Sequence, residues 1–357
     1  MNKDECDKRT CELLTGHCRA YPKLQIQDLF KYVYQSSLGC EHSVSDEEAA
    51  LEYIIREYET VTKAEPPIVE ELDGEYCRVD LSCIGMGLSA RTLARLFCLS
   101  AKKEPDGYVR LEQKLEAAKT LIAGGELHFD INAFESGVDE WRESGYGAVG
   151  HSDVFRREYR PTYRVIAKRY AELLPVLAEI DRLSAKGSLI VAIEGGSASG
   201  KTTLATLLRQ VYGCHVFHMD DFFLRPEQRT PERFAEVGGN VDRERFYNEV
   251  LEPLIKNETV CYRPFDCSTQ TLRESITVAP CRLAIVEGAY SMHPAFDKYY
   301  GFSIFLDISA EYQRERIYGR NPELAERFFD EWIPLENRYF SCTDAKGRAD
   351  FILYSAK

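Results

Sequence analysis

The stretch IVAIEGGSASGKTTLATLL, Ile190 to Leu208, decides the reading of half of this chain. An apolar run leads into Gly195-Gly196, then into small residues, then into Gly-Lys-Thr-Thr, and an amphipathic pattern follows. Residues 195–202, GGSASGKT, fit G-x-x-x-x-G-K-[ST] at every fixed position. The flanks predict a buried strand before the loop and a helix after it, the context in which such a match carries meaning. A chance match in a Gly/Ser loop would lack both. Glycines let the backbone approach an anion closely, and the loop N–H groups together with the helix N-terminus present positive dipoles to it. Gly195, Gly196, Ser197, Ala198, Ser199, Gly200, Lys201, Thr202 and Thr203 are therefore expected to bind a nucleoside triphosphate. Lys201 would reach the β- and γ-phosphates and Thr202 would hold Mg²⁺.

A phosphate loop serves switches, motors and kinases alike. The next apolar run, HVFHMDDFFL, ends in Asp220 and Asp221. A carboxylate at a strand's C-terminal edge beside a phosphate loop can take a proton from an attacking hydroxyl, and phosphoryl transfer needs little beyond positioning and charge neutralisation. The competing reading of these aspartates is a helix N-cap. RLAIVEGAY places Glu287 at the end of another strand, where a carboxylate can bind Mg²⁺ directly or through water. A switch GTPase would show D-x-x-G there and N-K-x-D later, and neither is present. In EYQRERIYGRNPELAERFF, Arg316 and Arg320 share a helical face, as do Glu311 and Glu315. The segment reads equally as a solvated, salt-bridged helix and as a lid whose arginines clamp a phosphoryl group.

Taken in order, GGSASGKTT, HMDDFF, GNVDRERF, YRPFDCSTQ, LAIVEGAY and FLDISAEYQRERIYGRN resemble the uridine kinase and phosphoribulokinase group of small-molecule kinases. The resemblance runs from about Leu189 onward. It implies ATP and Mg²⁺ as cofactors and a phosphoryl group passed to a hydroxyl, usually of a nucleoside. It implies Asp220 as catalytic base, Asp242 as a ligand of ribose hydroxyls, Glu287 as the second carboxylate and Arg316 and Arg320 as lid arginines, with Lys201 catalytic and Asp221 near the acceptor. The family reads its pyrimidine with a Tyr-Asp…His segment. Here Phe265 stands for the tyrosine and Gln270 for the histidine, so the base-reading chemistry differs. DDFF also resembles nicotinamide riboside kinases, and pantothenate or a sugar phosphate are further acceptors that the resemblance leaves open. A nucleotide-dependent regulatory protein is the rival from another class. Trp332, Tyr339 and Phe340 would either line the acceptor pocket or pack as core.

Short apolar runs (SLIVAIEGG, CHVFHMDD, RLAIVEGAY, FSIFLDIS, ADFILYS) alternate with helical stretches from residue 185 onward. Continuous rather than alternating apolar strands predict a parallel sheet covered by helices on both faces. The expected organisation is a mainly helical domain over 1–184 and an α/β P-loop kinase domain over 185–357. In the first half, Ser45 and Glu48 form a capping-box pattern, Ser89 opens a second helix, Gly124-Gly125 closes a third, and Pro161 to Gly187 reads as one long helix divided near Pro175. His42 and His151 are candidate ligands or plain packing residues. His151 and Ser152 precede Arg156, Arg157, Arg160 and Arg164. The role of this half is open: it could bind a regulator, assemble the chain as a homo-oligomer, or close over the acceptor.

A net charge of -13 argues against nucleic acid as the main partner but leaves room for a small anion at a local positive site. MNKDECDKRT lacks the apolar core of a signal peptide, and no run approaches a membrane span. A cytoplasmic protein with a small-molecule acceptor and no membrane partner is expected. The twelve cysteines are then reduced. Cys6, Cys11, His17 and Cys18 raise a zinc reading whose spacing fits no finger pattern, against ordinary thiols.

Overall fold

A computed structural model describes residues 3–40, 46–61, 68–102 and 105–355, with side chains from residue 8 onward. The chain divides into two compact units, Met1–Asp181 and Arg182–Lys357.

In the second unit, strands β4 (Leu189–Gly195), β5 (His215–His218), β10 (Leu283–Glu287), β11 (Phe302–Asp307) and β12 (Phe351–Tyr354) form one sheet in the order β12-β11-β4-β10-β5. Every pairing in it is parallel. These are the five apolar runs read from the sequence. Val191, Ala192, Ile193, Ile285, Val286 and Ile304 have no exposed surface, as strands covered on both faces require. Fully burying one such branched side chain stabilises by about 1.5–3 kcal/mol. The central strand β4 runs into the glycine loop and then into helix α10 (Lys201–Tyr212), whose Leu204, Ala205 and Leu208 face the core. Two short antiparallel pairs, β6 (Val260–Tyr262) with β9 (Ile276–Val278) and β7 (Phe265–Asp266) with β8 (Thr271–Leu272), rise between β5 and β10. A helix over Ala310–Arg320 and another over Ile333–Thr343 complete the cover. The α/β fold with a parallel sheet is thus as expected.

The first unit is mainly helical: α1 (Lys3–Ala20), α2 (Ile26–Leu38), α3 (Glu47–Tyr58), α4 (Ala90–Ser100), α5 (Gly107–Ala123), α6 (Ile131–Glu143) and α7 (Asp153–Tyr159). Ser89 caps α4 by accepting from the Thr92 N–H, and Leu93, Leu96 and Phe97 are buried. Asp46, rather than Ser45, caps α3, accepting from Ala49 N–H at 2.8 Å; Ser45 and His42 lie outside the described residues.

One expectation fails here. Residues 161–187 are not a single helix: Tyr163–Ala167 is strand β3, and helices α8 (Lys168–Ala171) and α9 (Leu174–Ser184) follow. β3 pairs antiparallel with β2 (Tyr76–Asp80), which pairs with β1 (Val69–Glu71). Val165-Ile166 is β-branched and favours the pleated conformation once a partner strand is present. That partner lies far away in sequence, so local periodicity does not report it. Pro175 sits in the first turn of α9, where a missing N–H is harmless.

Candidate functional site

The loop after β4 is built around conformations that only small residues accept. Gly195 has φ +150°, and a Cβ there would meet the Leu306 carbonyl oxygen at 2.6 Å and Ser199 Oγ at 2.9 Å. Gly200, at φ +104°, opens α10. Lys201 folds back to donate to the Gly196 carbonyl at 2.9 Å. Ser199 Oγ is buried without a hydrogen-bond partner. The N-terminus of α10, Lys201 and this orphaned hydroxyl together make a cradle that fits phosphate oxygens. We expect Gly195→Ala to lower stability by about 2 kcal/mol and to weaken ATP binding at least tenfold, because backbone rather than a flexible tip blocks the new methyl. A urea titration and an ATP titration read the two effects, and near-wild-type values in both would refute the steric account.

Other elements hold the loop from outside. Gln313 donates to the Ser197 carbonyl at 2.8 Å, and Glu336 accepts from Ser197 N–H at 2.8 Å and from its Oγ at 2.6 Å. Glu336 is buried, which pushes its carboxyl up despite the nearby Lys201. Ser355 donates to the Ser199 carbonyl at 2.6 Å. None of these three contacts leaves a signal in sequence spacing.

Beneath the loop lies Glu194, fully buried at the end of β4. Its Oε1 accepts from the N–H groups of Gly195 and Tyr290 at 3.0 and 3.1 Å. Its Oε2 accepts from Met292 N–H at 3.0 Å and from the Tyr339 hydroxyl at 3.1 Å. Burial pushes this carboxyl up to about 7, against the pull of those donors. Tyr339 is fully buried, and Phe340 packs edge-on against Phe305 at 5.4 Å. The core alternative therefore describes both. Trp332 packs against Phe328 at 4.5 Å.

On the far side of Lys201 stand the acids. Thr202 Oγ1 donates to Glu287 Oε1 at 3.2 Å, and His218 Nδ1 meets the same oxygen at 2.5 Å. That hydrogen bond holds the His218 imidazole above its ordinary pKa. Sequence reasoning passed over His218, although it immediately precedes the Met-Asp-Asp turn. Asp220 is exposed at the turn after β5, with protein atoms gathered around its carboxylate. That enclosure and the like charge of Glu287 raise its carboxyl, while Lys201 and His218 lower it. The short turn over Met219–Phe222 that carries Asp220 starts without a side-chain cap from His218. Asp221 is raised chiefly by burial, and its carbonyl accepts from Arg245 at 2.6 Å.

Asp242 is buried and engaged: Oδ1 caps the next helix at Arg245 N–H, 3.1 Å, and Oδ2 accepts from Gln228 at 2.8 Å. A ribose contact there would share these lone pairs. Arg245 was not singled out by the sequence; it stacks over Phe222 at 4.5 Å and donates to the Arg263 carbonyl at 2.5 Å. Phe265 is buried beneath the Arg229 guanidinium, 5.8 Å from its ring centre. Gln270 lies in the left-handed region at φ 57°, with its amide donating to the Cys267 carbonyl. One of its two amide N–H groups is used in closing the β7–β8 turn, and Oε1 is buried without a hydrogen-bond partner. Arg316 approaches the loop, 3.7 Å from a Cβ placed on Gly200, with its guanidinium over Tyr312. Arg320, one turn on, is exposed.

Thr202 Oγ1 and the Glu287 carboxylate are hard oxygen donors suited to Mg²⁺, which commonly takes few protein ligands and completes its shell with water and phosphate. Among the described residues no group of three His, Cys, Asp or Glu side chains is placed to hold a metal. Neither Cys11 nor Cys18 is in a disulfide, and burial pushes Cys18 up to about 11; Cys6 lies outside the described side chains. His17 instead bonds Glu70 at 2.8 Å and stacks on Tyr32. No described helix is long and apolar enough to cross a membrane.

No family model matches the chain, and no curated protein does. Solved structures do resemble it. One, described as a possible uridine kinase from Bacillus stearothermophilus, is 22% identical with a TM-score of 0.36, covering 50% of this chain and 99% of that one. A shikimate kinase from Bacteroides thetaiotaomicron is 14% identical with a TM-score of 0.26, covering 47% of this chain and 86% of the other. A shikimate kinase from Acinetobacter baumannii, in complex with shikimate, is 16% identical with a TM-score of 0.27, covering 48% and 85%. Likeness at this level says nothing about acceptor or activity.

Proposed function

We propose that the second unit is an ATP- and Mg²⁺-dependent kinase that phosphorylates a hydroxyl of a small metabolite, with a nucleoside as the first acceptor to try. The observation that supports it best is the convergence of three chemistries at one strand-to-helix turn. A glycine cradle with Lys201 suits a triphosphate, Thr202 and Glu287 suit a divalent cation, and Asp220 lies within electrostatic reach of both Lys201 and Glu287.

In this reading the loop N–H groups and Lys201 bind and orient the phosphates, and Arg316 supplies a further positive charge from outside the loop. Mg²⁺, held by Thr202 and Glu287, would neutralise phosphate charge. Asp220 holds the acceptor hydroxyl and takes its proton, its carboxyl being raised above the ordinary value by the surrounding protein and by Glu287. His218 positions Glu287 through its 2.5 Å contact. The acceptor would sit against the β7–β8 hairpin, near Phe265 and Gln270. With the tyrosine and histidine of the family replaced there, uridine is one candidate beside nicotinamide riboside, pantothenate and sugar phosphates.

ADP release from ATP and Mg²⁺, measured against a panel of those acceptors, tests the proposal. A single strong responder is the expected result. ATP binding with no acceptor-stimulated ADP release would overturn it and favour a nucleotide-dependent regulatory protein.

A further inference from the structure

The first unit contains a cavity of about 1150 Å³ between α2, the β1-β2-β3 sheet and the segment leading through α7. Its walls combine basic side chains with aromatic rings, including Tyr53, Phe97 and Phe155. Arg78 projects from β2 with 2% of its surface exposed. Its Nε donates to Gln35 at 2.9 Å and its Nη1 to Glu70 at 3.2 Å, while Nη2 is buried with no partner. Arg164 repeats the pattern: Nη1 pairs with Glu57 at 2.7 Å, and its Nη2 is buried and unpartnered. Two buried guanidinium groups thus each carry an unsatisfied N–H₂ at one cavity. Such groups destabilise the fold unless something accepts from them.

The acids of the wall are already engaged. Glu57 is ion-paired with Arg164, although its buried Oε2 accepts no hydrogen bond, and Glu70 serves Arg78 and His17. Asp80 accepts from Ser82 N–H and Thr162, and Glu158 pairs with Lys23 and Arg157. Asp28 accepts from Gln25 N–H, Ser152 N–H, Ser152 Oγ and His151. Three cations of the wall remain: Arg160, which is exposed, and two more, of which Lys31 bonds only the Val149 carbonyl, at 3.0 Å, and Arg156 only the His151 carbonyl, at 3.1 Å. Neither has a carboxylate partner among the described residues. Burial, and then the charges of Arg78 and Arg156, bring Lys31 down to about 8, which marks the same corner as electropositive.

The arrangement is held rigidly. His151 bridges Asp28, at 3.0 Å, to the Tyr163 hydroxyl, at 2.6 Å, and stacks flat on Phe155. The Arg78 guanidinium lies over the Tyr163 ring, 4.7 Å from its centre. Burial lowers His151 to about 4, so it is a neutral link in this chain and not a charge.

We propose that this cavity binds a small phosphate monoester with a flat body, the phosphoryl group taken by Lys31, Arg78 Nη2 and Arg156 and the body laid against the aromatic wall. Two cations without counter-ions, beside unsatisfied guanidinium donors, suit a dianion better than a single carboxylate. This site is independent of the phosphate loop and of whatever reaction the second unit performs.

Phenyl phosphate, titrated into the full-length protein by calorimetry at neutral pH, is the probe, with benzoate and phenol as controls. We expect phenyl phosphate to bind with a sub-millimolar Kd, benzoate at least tenfold more weakly, and phenol not measurably. Arg156 is exposed, so Arg156→Gln should fold normally and weaken phenyl phosphate at least tenfold, and Lys31→Gln should do the same. Lys201→Ala should leave the Kd within about threefold. No binding up to about 10 mM, indifference to both cavity variants, loss of binding in Lys201→Ala, or benzoate binding as tightly as phenyl phosphate would each overturn the proposal.

Discussion

Asp220→Asn leaves ATP binding close to wild type and lowers acceptor-dependent turnover by about 10²–10⁴-fold, the usual worth of a positioned general base. The amide keeps the size and hydrogen-bonding reach of the carboxylate but cannot accept the hydroxyl proton. Lys201, which stabilises the Asp220 carboxylate electrostatically, retains its bond to the Gly196 carbonyl, so the loop itself is untouched. ATP affinity by calorimetry and ADP release with the responding acceptor separate the two effects. Unchanged turnover would remove Asp220 from the chemistry, and a large loss of ATP affinity would make it a nucleotide ligand instead.

The second large effect concerns stability. Glu194→Gln replaces four accepted hydrogen bonds by a group with one acceptor atom. The amide oxygen can still serve Gly195 and Tyr290, and the Tyr339 hydroxyl can turn to accept, but the Met292 N–H then faces another donor. One unpaired buried donor costs about 1–3 kcal/mol. The pH dependence is more telling. The Glu194 carboxyl titrates near 7 in the folded protein, pushed there by burial from an ordinary 4.5. A folded-state pKa above the unfolded one means that the native state holds the proton more tightly. The stability gained is fully present below about pH 4.5 and lost as pH rises through 7, about 3 kcal/mol across that window. Glutamine does not titrate. Urea midpoints measured from pH 5 to pH 8 should therefore converge as pH rises, with wild type ahead at the acid end and its advantage gone at the alkaline end. Parallel profiles would show that the four donors hold Glu194 ionised throughout.

The fold of the second unit was legible because its information is local. Five unbroken apolar runs, each ended by a turn, specify a buried parallel sheet, and the spacing from Gly195 to Thr202 specifies the loop whatever packs around it. What was not legible depends on distant partners. Glu194 reads as one more strand residue until Tyr290, Met292 and Tyr339 are seen converging on it. Glu336 reads as helix surface until it reaches Ser197, and His218 as a strand end until it meets Glu287. The same reasoning explains the misread strand. In Tyr163–Ala167 the apolar residues also satisfy a helical period, and only the pairing with Tyr76–Asp80 decides between them. The cavity of the first unit was hinted at by the run of arginines after His151. Nothing local linked that run to Arg78 or Lys31.

The bond from Ser355 to the Ser199 carbonyl joins residues 156 positions apart, and the strand just before Ser355 closes one edge of the sheet. During synthesis β4, its glycine loop and α10 emerge long before β12 does. Closing so long a loop costs entropy that grows only logarithmically with length, but it must be met before the contact returns anything. The nascent unit therefore carries an unfinished sheet edge and a loop lacking one of its restraints until its last strand docks. Anything that holds the early sheet together in that interval, a bound nucleotide included, would shorten the time for which its apolar edge lies open to other chains.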